Sequence, residues 1–288
     1  KYYLVNIKKE LRELLKEPEM RFRLGYFVDK DHEFSVQKRF DYAIQACNSI
    51  RNQANKEIAV YDKSLADKDK IDAMLLGCFE EALNKQQFKV FYQPKFSIKG
   101  SKPVLCSAEA LVRWEHPTLG FVNPDFFIPL FEENGLITRL DRYVWEEVAK
   151  QIARWKRQLG KTIPVSVNVS RVDIQDPTMS DFIAEILERN KVKPKEYMLE
   201  VTESAYTEDA NKIIQIVHKL RSLGHKIEMD DFGSGYSSLN MINKMPIDAL
   251  KMDKGFIQNI KNGNKEMQLV EIVLQIAKTL DVPVIAEG

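Results

Sequence analysis

From Phe88 onward the chain alternates short apolar stretches with amphipathic ones, and most of the apolar stretches carry an acid or an amide near their C-terminal end. That placement constrains the fold more than any other feature. Strands buried on both faces normally read as unbroken apolar runs, because a buried carboxylate or amide without a partner costs several kcal/mol. The strand candidates are FKVFYQPKF (88–96), VLCSAEALVRW (104–114), IPVSVNVS (163–170), YMLEVTE (197–203), KIEMDD (226–231), DALKMD (248–253) and VPVIAEG (282–288). Between them, helical spacing of apolar residues predicts helices over 142–158, 209–223 and 266–280. Strand, helix, strand repeated over roughly 200 residues predicts a parallel α/β domain, either a (β/α)8 barrel or a doubly wound sheet. A nucleotide-binding doubly wound fold should carry a glycine-rich phosphate loop after its first strand. The sequence has none, which favours the barrel.

Near the C-terminal ends of those stretches lie Glu109, Asn168, Glu200, Glu203, Asp230, Asp231, Lys251, Asp253 and Glu287. In IPVSVNVS, Val165, Val167 and Val169 share one face while Ser166, Asn168 and Ser170 share the other. A strand with one apolar and one polar side suits a site at the C-terminal mouth of a barrel, built from the ends of several strands. Converging carboxylates need a compensating charge, and all-oxygen donors without thiolate suit Mg²⁺ or Mn²⁺. Adjacent Asp230 and Asp231 would serve two such ions ~3.5–4 Å apart, the arrangement used for in-line displacement at phosphorus, with Lys251 a cation beside the phosphate or its attacking water. Each element also has a plainer reading. A single strand-end Glu is more often a rim salt bridge than a ligand, and the Asp pair reads equally as a helix N-cap. Asp-Phe-Gly (231–233) matches the kinase magnesium motif, but neither GxGxxG nor HRDxxxxN accompanies it.

The 288 residues amount to one large domain or two ordinary ones, and at 44% hydrophobic and 30% charged they fill a core and leave a polar surface. With 43 Lys and Arg against 42 Asp and Glu there is no basic field for a DNA or RNA polymer. Cys47, Cys78 and Cys106 lie far apart with no zinc spacing, so each is expected to be a small buried apolar side chain in a reducing, cytoplasmic setting. No stretch approaches the ~18–20 apolar residues of a membrane span, so no membrane contact is expected from this segment. The first residue is Lys1, not Met, and a longer parent chain is expected, with room for a membrane anchor elsewhere.

YQP (92–94), EALVRW (109–114), HP (116–117), GLI (135–137), VNVS (167–170), LEVTES (199–204), DDFGSGYSSL (230–239), LKMD (250–253) and AEG (286–288) follow one another in this order. Together they resemble the EAL family of cyclic di-GMP phosphodiesterases over about residues 72–288. The resemblance implies a modified (β/α)8 barrel that hydrolyses the bacterial second messenger cyclic di-GMP to linear pGpG with two Mg²⁺ or Mn²⁺ ions. It implies Glu109, Asn168, Glu200 and Asp230 as ligands of the first ion, with Asp230 bridging to a second ion that Asp231 also binds. Lys251 matches the lysine that orients the attacking water, and Glu287 the acid that serves as metal ligand or general base. Glu203 matches the glutamate that steadies the loop after Asp231, while Gln93, Leu111 and Arg113 match substrate contacts. It also implies a homodimer through the barrel. The alternative is a non-catalytic cyclic di-GMP receptor acting through a connecting helix at 64–86.

The family pattern continues past Gly288 with a further glutamate, another helix, an eighth strand and a last helix, so these parts are expected beyond the present sequence. The expected organisation is 1–63, 64–86 and 87–288. LGYFVD (24–29), FDYAIQACNSIR (40–51) and IAVYD (58–62) resemble the end of a GGDEF, diguanylate cyclase-like domain, an α+β fragment. Its signature motif is absent from this sequence, so cyclase activity is not implied and a degenerate or truncated regulatory module is expected.

Overall fold

The computed structural model describes residues 23–29, 33–51, 56–207, 210–233, 245–259 and 264–287. The chain divides into two compact units, Lys1–Gly77 and Cys78–Gly288. In the first, β1 (Leu24–Phe27), α1 (Val36–Asn48), β2 (Ile58–Tyr61) and α2 (Lys63–Gly77) follow in order. β1 and β2 pair in parallel, Leu24 opposite Ile58 and Phe27 opposite Tyr61. Ser35 starts α1 by accepting the Lys38 N–H on its hydroxyl at 3.2 Å. Gly25 lets α1 lie flush on β1, since a Cβ there would strike the Ala43 carbonyl and the Cys47 backbone. Phe27, Phe34, Tyr42 and Tyr61 pack together, Tyr42 stacking on Tyr61 at 4.2 Å. The strand–helix–strand pattern expected over 24–62 is present; the charged run at 7–16 lies outside the described residues. The helical stretch expected at 64–86 is interrupted: α2 ends at Gly77, Cys78 is non-helical (φ −98°, ψ 3°), and α3 (Phe79–Asn84) begins after it.

The second unit continues with β3 (Phe88–Ser97), β4 (Val104–His116), β5 (Gly120–Val122), α4 (Pro124–Glu133), α5 (Ile137–Leu159), β6 (Val165–Val169), α6 (Arg171–Gln175) and α7 (Met179–Asn190). Next come β7 (Tyr197–Thr202), α8 (Ala210–Ser222), β8 (Ile227–Phe232), β9 (Ala249–Met252), α9 (Lys254–Asn259), α10 (Asn264–Thr279) and β10 (Val284–Ala286). The sheet runs β3-β4-β6-β7-β8-β9-β10, with β5 on β4. Every pair from β4–β6 to β9–β10 is parallel, but β3 and β4 are antiparallel. The cause is the connection: residues 98–103 are too few for the crossover a parallel pair requires. Pro94 is tolerated in β3 because that strand pairs only with β4 in the described sheet.

The sheet is curled. β4 and β9 are four strand steps apart, about 19 Å across a flat sheet at ~4.8 Å per step. Yet Lys251 of β9 and Glu109 of β4 approach to 3.1 Å, so the strands wrap round a common interior as in a (β/α)8 barrel. Alternation then sorts the side chains. Val165, Val167, Val169, Leu199, Val201, Ile227, Met229, Leu250 and Met252 are buried on the outer face, where the helices supply Val148, Ile152, Ile183, Leu187, Ile213, Val217, Val273 and Ala277. Phe79, Phe88, Trp114, Phe127 and Phe131 form an aromatic cluster between α3, α4 and the β3–β4 pair. α5 runs from Ile137 to Leu159 and stops at Gly160, whose φ of 61° suits a residue without Cβ.

The cysteines are free, as expected from their spacing, but are not core residues: Cys47 and Cys78 are half-buried and Cys106 is exposed. Cys106 is the extra residue of a bulge, because Lys95 pairs with Ser107 and Phe96 with Leu105; its thiol donates to the Lys95 carbonyl at 3.2 Å. Among the described residues, no helix is long and apolar enough to cross a membrane.

Two predictions follow from this packing. Phe131 is fully buried and Phe126, on the same helix, is 65% exposed. Phe131→Ala should lose ~3–5 kcal/mol in urea denaturation, and Phe126→Ala should stay near wild type; equal losses would refute the assigned core. Glu196 closes the turn before β7 and accepts from the Lys193 N–H at 2.9 Å, the Lys156 ammonium at 3.2 Å and the Thr162 hydroxyl at 3.3 Å. Burial opposes its charge, but the Lys193 N–H, Lys156 and Thr162 outweigh it and hold the carboxyl below its ordinary 4.5. A group with a depressed folded value stabilises above its unfolded value and ceases to as pH falls through the folded one. Glu196→Gln should therefore cost stability at pH 7, and the gap to wild type should close on acidification below pH 4.5; a gap that widens in acid would exclude this role.

Candidate active site

Parallel register brings the inward residues together. Asn168 of β6 pairs with Glu200 of β7, Glu200 with Glu228 of β8, Thr202 with Asp230, and Gln93 of β3 with Glu109 of β4. Near the centre stands Lys251 on β9, only 1% exposed. Its ammonium lies 2.7 Å from Glu200 Oε2, 2.8 Å from Glu287 Oε1, and 3.1 Å from both Glu109 Oε2 and Asp230 Oδ1. Burial works against that charge, but Glu200, Asp230 and Glu109 outweigh it and its pKa rises. Beneath it a second lysine, Lys95 of β3, donates to Ser166 Oγ at 2.8 Å, Glu200 Oε1 at 2.7 Å and Glu228 Oε2 at 2.5 Å.

The carboxylates differ according to their neighbours. Glu200 is buried, yet contact with Lys251 and Lys95 holds its pKa below the usual range. Burial pushes the Glu109 carboxyl up, and the Glu200 charge adds to it against the pull of Lys251. Asp230 rises for the same reasons, with Asp231 contributing repulsion. Glu228 also rises by burial, opposed by Lys95.

Strict alternation would put Asp230 and Asp231 on opposite faces. The β8–β9 register slips between Met229 and Phe232, and Asp231 takes a left-handed φ of 53° with its N–H on Asp230 Oδ1 at 2.9 Å. Asp tolerates that conformation better than most residues. Asp231 thereby comes near Asp253 and Glu287, whose charges add to burial in raising its pKa. Glu203 Oε2 accepts the Gly233 N–H at 2.8 Å, tying the end of β7 to the chain just after the pair.

Of the expected site residues, Glu109, Glu200, Asp230, Lys251 and Glu287 therefore meet directly. Asn168 is exposed at the end of β6, on the inward side beside Glu200, and its carbonyl accepts the Trp145 indole N–H at 3.0 Å. Gln93 is exposed on β3, and Leu111 and Arg113 follow Glu109 along the same face of β4. The Arg113 guanidinium donates to the neighbouring Val112 carbonyl at 2.8 Å, folded back on its own strand. Sequence reasoning missed Lys95 and Glu228. Period-two alternation would have found both: Lys95 is two residues from Gln93, and Glu228 two from Asp230.

Among the described residues, no group of three or more His, Cys, Asp and Glu side chains forms a ready ligand cage. The acids are spaced around the Lys251 ammonium. Their chemistry nonetheless fits a hard divalent cation. All the donors are oxygen, and Glu109 and Asp230 are crowded by like charge.

The EAL domain matches residues 78–288. The chain belongs to the EAL family. The tripeptide behind that name is Glu109, Ala110 and Leu111, whose glutamate reaches Lys251. This EAL chain is similar to the cyclic di-GMP phosphodiesterase PdeR of Escherichia coli, 36% identical over 72% of the chain and 31% of the relative. It is likewise similar to the bifunctional diguanylate cyclase/cyclic di-GMP phosphodiesterase MucR of Pseudomonas aeruginosa, 31% identical over 83% of the chain and 34% of the relative. It thus spans about a third of the length of these curated relatives. Among solved structures, the PaMucR phosphodiesterase in complex with c-di-GMP superposes with a TM-score of 0.70 at 33% identity, over 75% of this chain and 86% of that one.

The turn after the aspartate pair gives a prediction. Gly233 has φ 97°, and a Cβ there would strike the ring of Phe256. Gly233→Ala should cost at least ~1–2 kcal/mol from the backbone alone, read by urea denaturation; an unchanged midpoint would refute this geometry.

Proposed function

We propose that this chain hydrolyses one phosphodiester bond of cyclic di-GMP to give linear pGpG. The observation that carries the reading is the meeting of Glu109, Glu200, Asp230 and Glu287, from separate strands of an EAL barrel, around one buried lysine. Glu109, Asn168, Glu200, Asp230 and Asp231 would hold two Mg²⁺ or Mn²⁺ ions. Those ions, when bound, supply neutralisation of phosphate charge and acidification of water.

The chain's own groups do the rest. Lys251 places a fixed positive charge beside the reacting phosphate and orients the attacking water. Glu287, whose Oε1 lies 2.8 Å from the Lys251 ammonium, accepts the proton of that water. Water oxygen bonds to phosphorus, the ester bond to the 3′ oxygen breaks, and that oxygen leaves as a hydroxyl by taking a proton from solvent water. Gln93, Leu111 and Arg113 line the approach. Arg113 would turn from the Val112 carbonyl to a phosphate oxygen, a pairing guanidinium groups make well. Glu203 fixes the segment after Asp231. The unit containing β1, α1 and β2 is read as a degenerate GGDEF-like regulatory module, and the barrel as the dimerising part.

The protein incubated with cyclic di-GMP and Mn²⁺ should yield pGpG by chromatography, and Glu109→Ala should lose activity by at least ~10–100-fold. Binding without turnover in either metal would overturn the proposal in favour of a receptor.

A further inference from the structure

Glu200 is held from both sides. Its Oε2 meets Lys251 on the mouth side, and its Oε1 meets Lys95, with the Ser166 hydroxyl also on Oε1. Lys95 is itself 9% exposed and Ser166 fully buried, so this second contact lies inside the barrel. A carboxylate anchored at one oxygen cannot turn about its terminal bond, and its other oxygen is fixed in direction. The ammonium of Lys95 has one further acidic partner, Glu228 from β8. Among the described residues, its ion pairs are with Glu200 and Glu228, the Ser166 hydroxyl also accepts from it, and the charge of Glu109 lies farther off.

We propose that Lys95 is a positioning residue for the cation site: by gripping Glu200 Oε1 from below it aims Glu200 Oε2 at the place where a divalent ion binds. This rests on the phosphodiesterase reading above. Lys95 does not touch substrate; it acts through Glu200. The competing role is that Lys95 only neutralises Glu228, a buried carboxylate that would be costly alone. The two roles separate by charge bookkeeping. Lys95→Met leaves Glu228 buried without its cation. Lys95→Met with Glu228→Gln removes one positive and one negative charge together, sparing the interior an unpaired ion while still releasing Glu200.

The test uses the full-length protein that contains this chain, as wild type, Glu228→Gln, and the Lys95→Met/Glu228→Gln double variant. Mn²⁺ affinity is measured by titration calorimetry without substrate, folding by thermal denaturation, and hydrolysis of cyclic di-GMP as kcat and KM. The expected result is a folded double variant whose Mn²⁺ affinity lies ~10–100-fold below that of Glu228→Gln. Its KM for cyclic di-GMP at saturating Mn²⁺ should match that of Glu228→Gln. A double variant that binds Mn²⁺ within twofold of Glu228→Gln overturns the inference, and so does one that fails to fold, since Lys95 is then a structural counter-ion. A wild-type chain that neither binds Mn²⁺ nor turns over cyclic di-GMP instead overturns the phosphodiesterase reading, and this inference with it.

Discussion

The interior of the barrel is organised by one chain of charge: Lys95 to Glu200 to Lys251, with Glu228 on the first lysine and Glu109, Asp230 and Glu287 on the second. Taking an ion out of water costs several kcal/mol, regained only with close partners of opposite sign. Because these partners come from β3, β4, β7, β8, β9 and the end of β10, the pairing is satisfied only when the sheet is curled. A polar interior and a curled sheet are therefore one requirement, and slippage of any single strand would strand a charge.

Such an interior contributes little to stability by itself. Burial comes instead from the outward faces of the strands against α5, α7, α8 and α10, and from the aromatic cluster around Trp114. The two faces of each strand thus divide the labour. Val167 packs outward, while Ser166 and Asn168 on either side of it face the interior and its mouth. This division lets the mouth hold acids with raised pKa, such as Glu109 and Asp230, within a stable barrel.

Much of this was legible in the sequence, for a physical reason. An acid at the end of an apolar run is expensive unless it has a purpose, and Glu109, Glu200, Asp230, Lys251 and Glu287, all singled out on that ground, meet in space. Strand positions were readable because alternation of Val with Ser and Asn has few other meanings. What escaped is non-local or depends on backbone detail. The antiparallel β3–β4 pair follows from a short hairpin, and the break at Cys78 from a Gly77 that apolar spacing ignores. The turn that keeps Asp231 with Asp230 needs a positive φ that no pattern of residue types announces. Lys95 and Glu228 escaped, although alternation puts both on the inward side, because a charged side chain in a strand reads as solvated until its partners are seen across the barrel.

The bulge at Cys106 links outside to inside. Its exposed thiol rests on the main-chain carbonyl of Lys95, the residue whose ammonium grips Glu200. An environment-sensitive fluorophore coupled to that sulfur would sit on the outer wall, against the backbone of the residue that grips Glu200. The fold thereby supplies an optical window onto its own core.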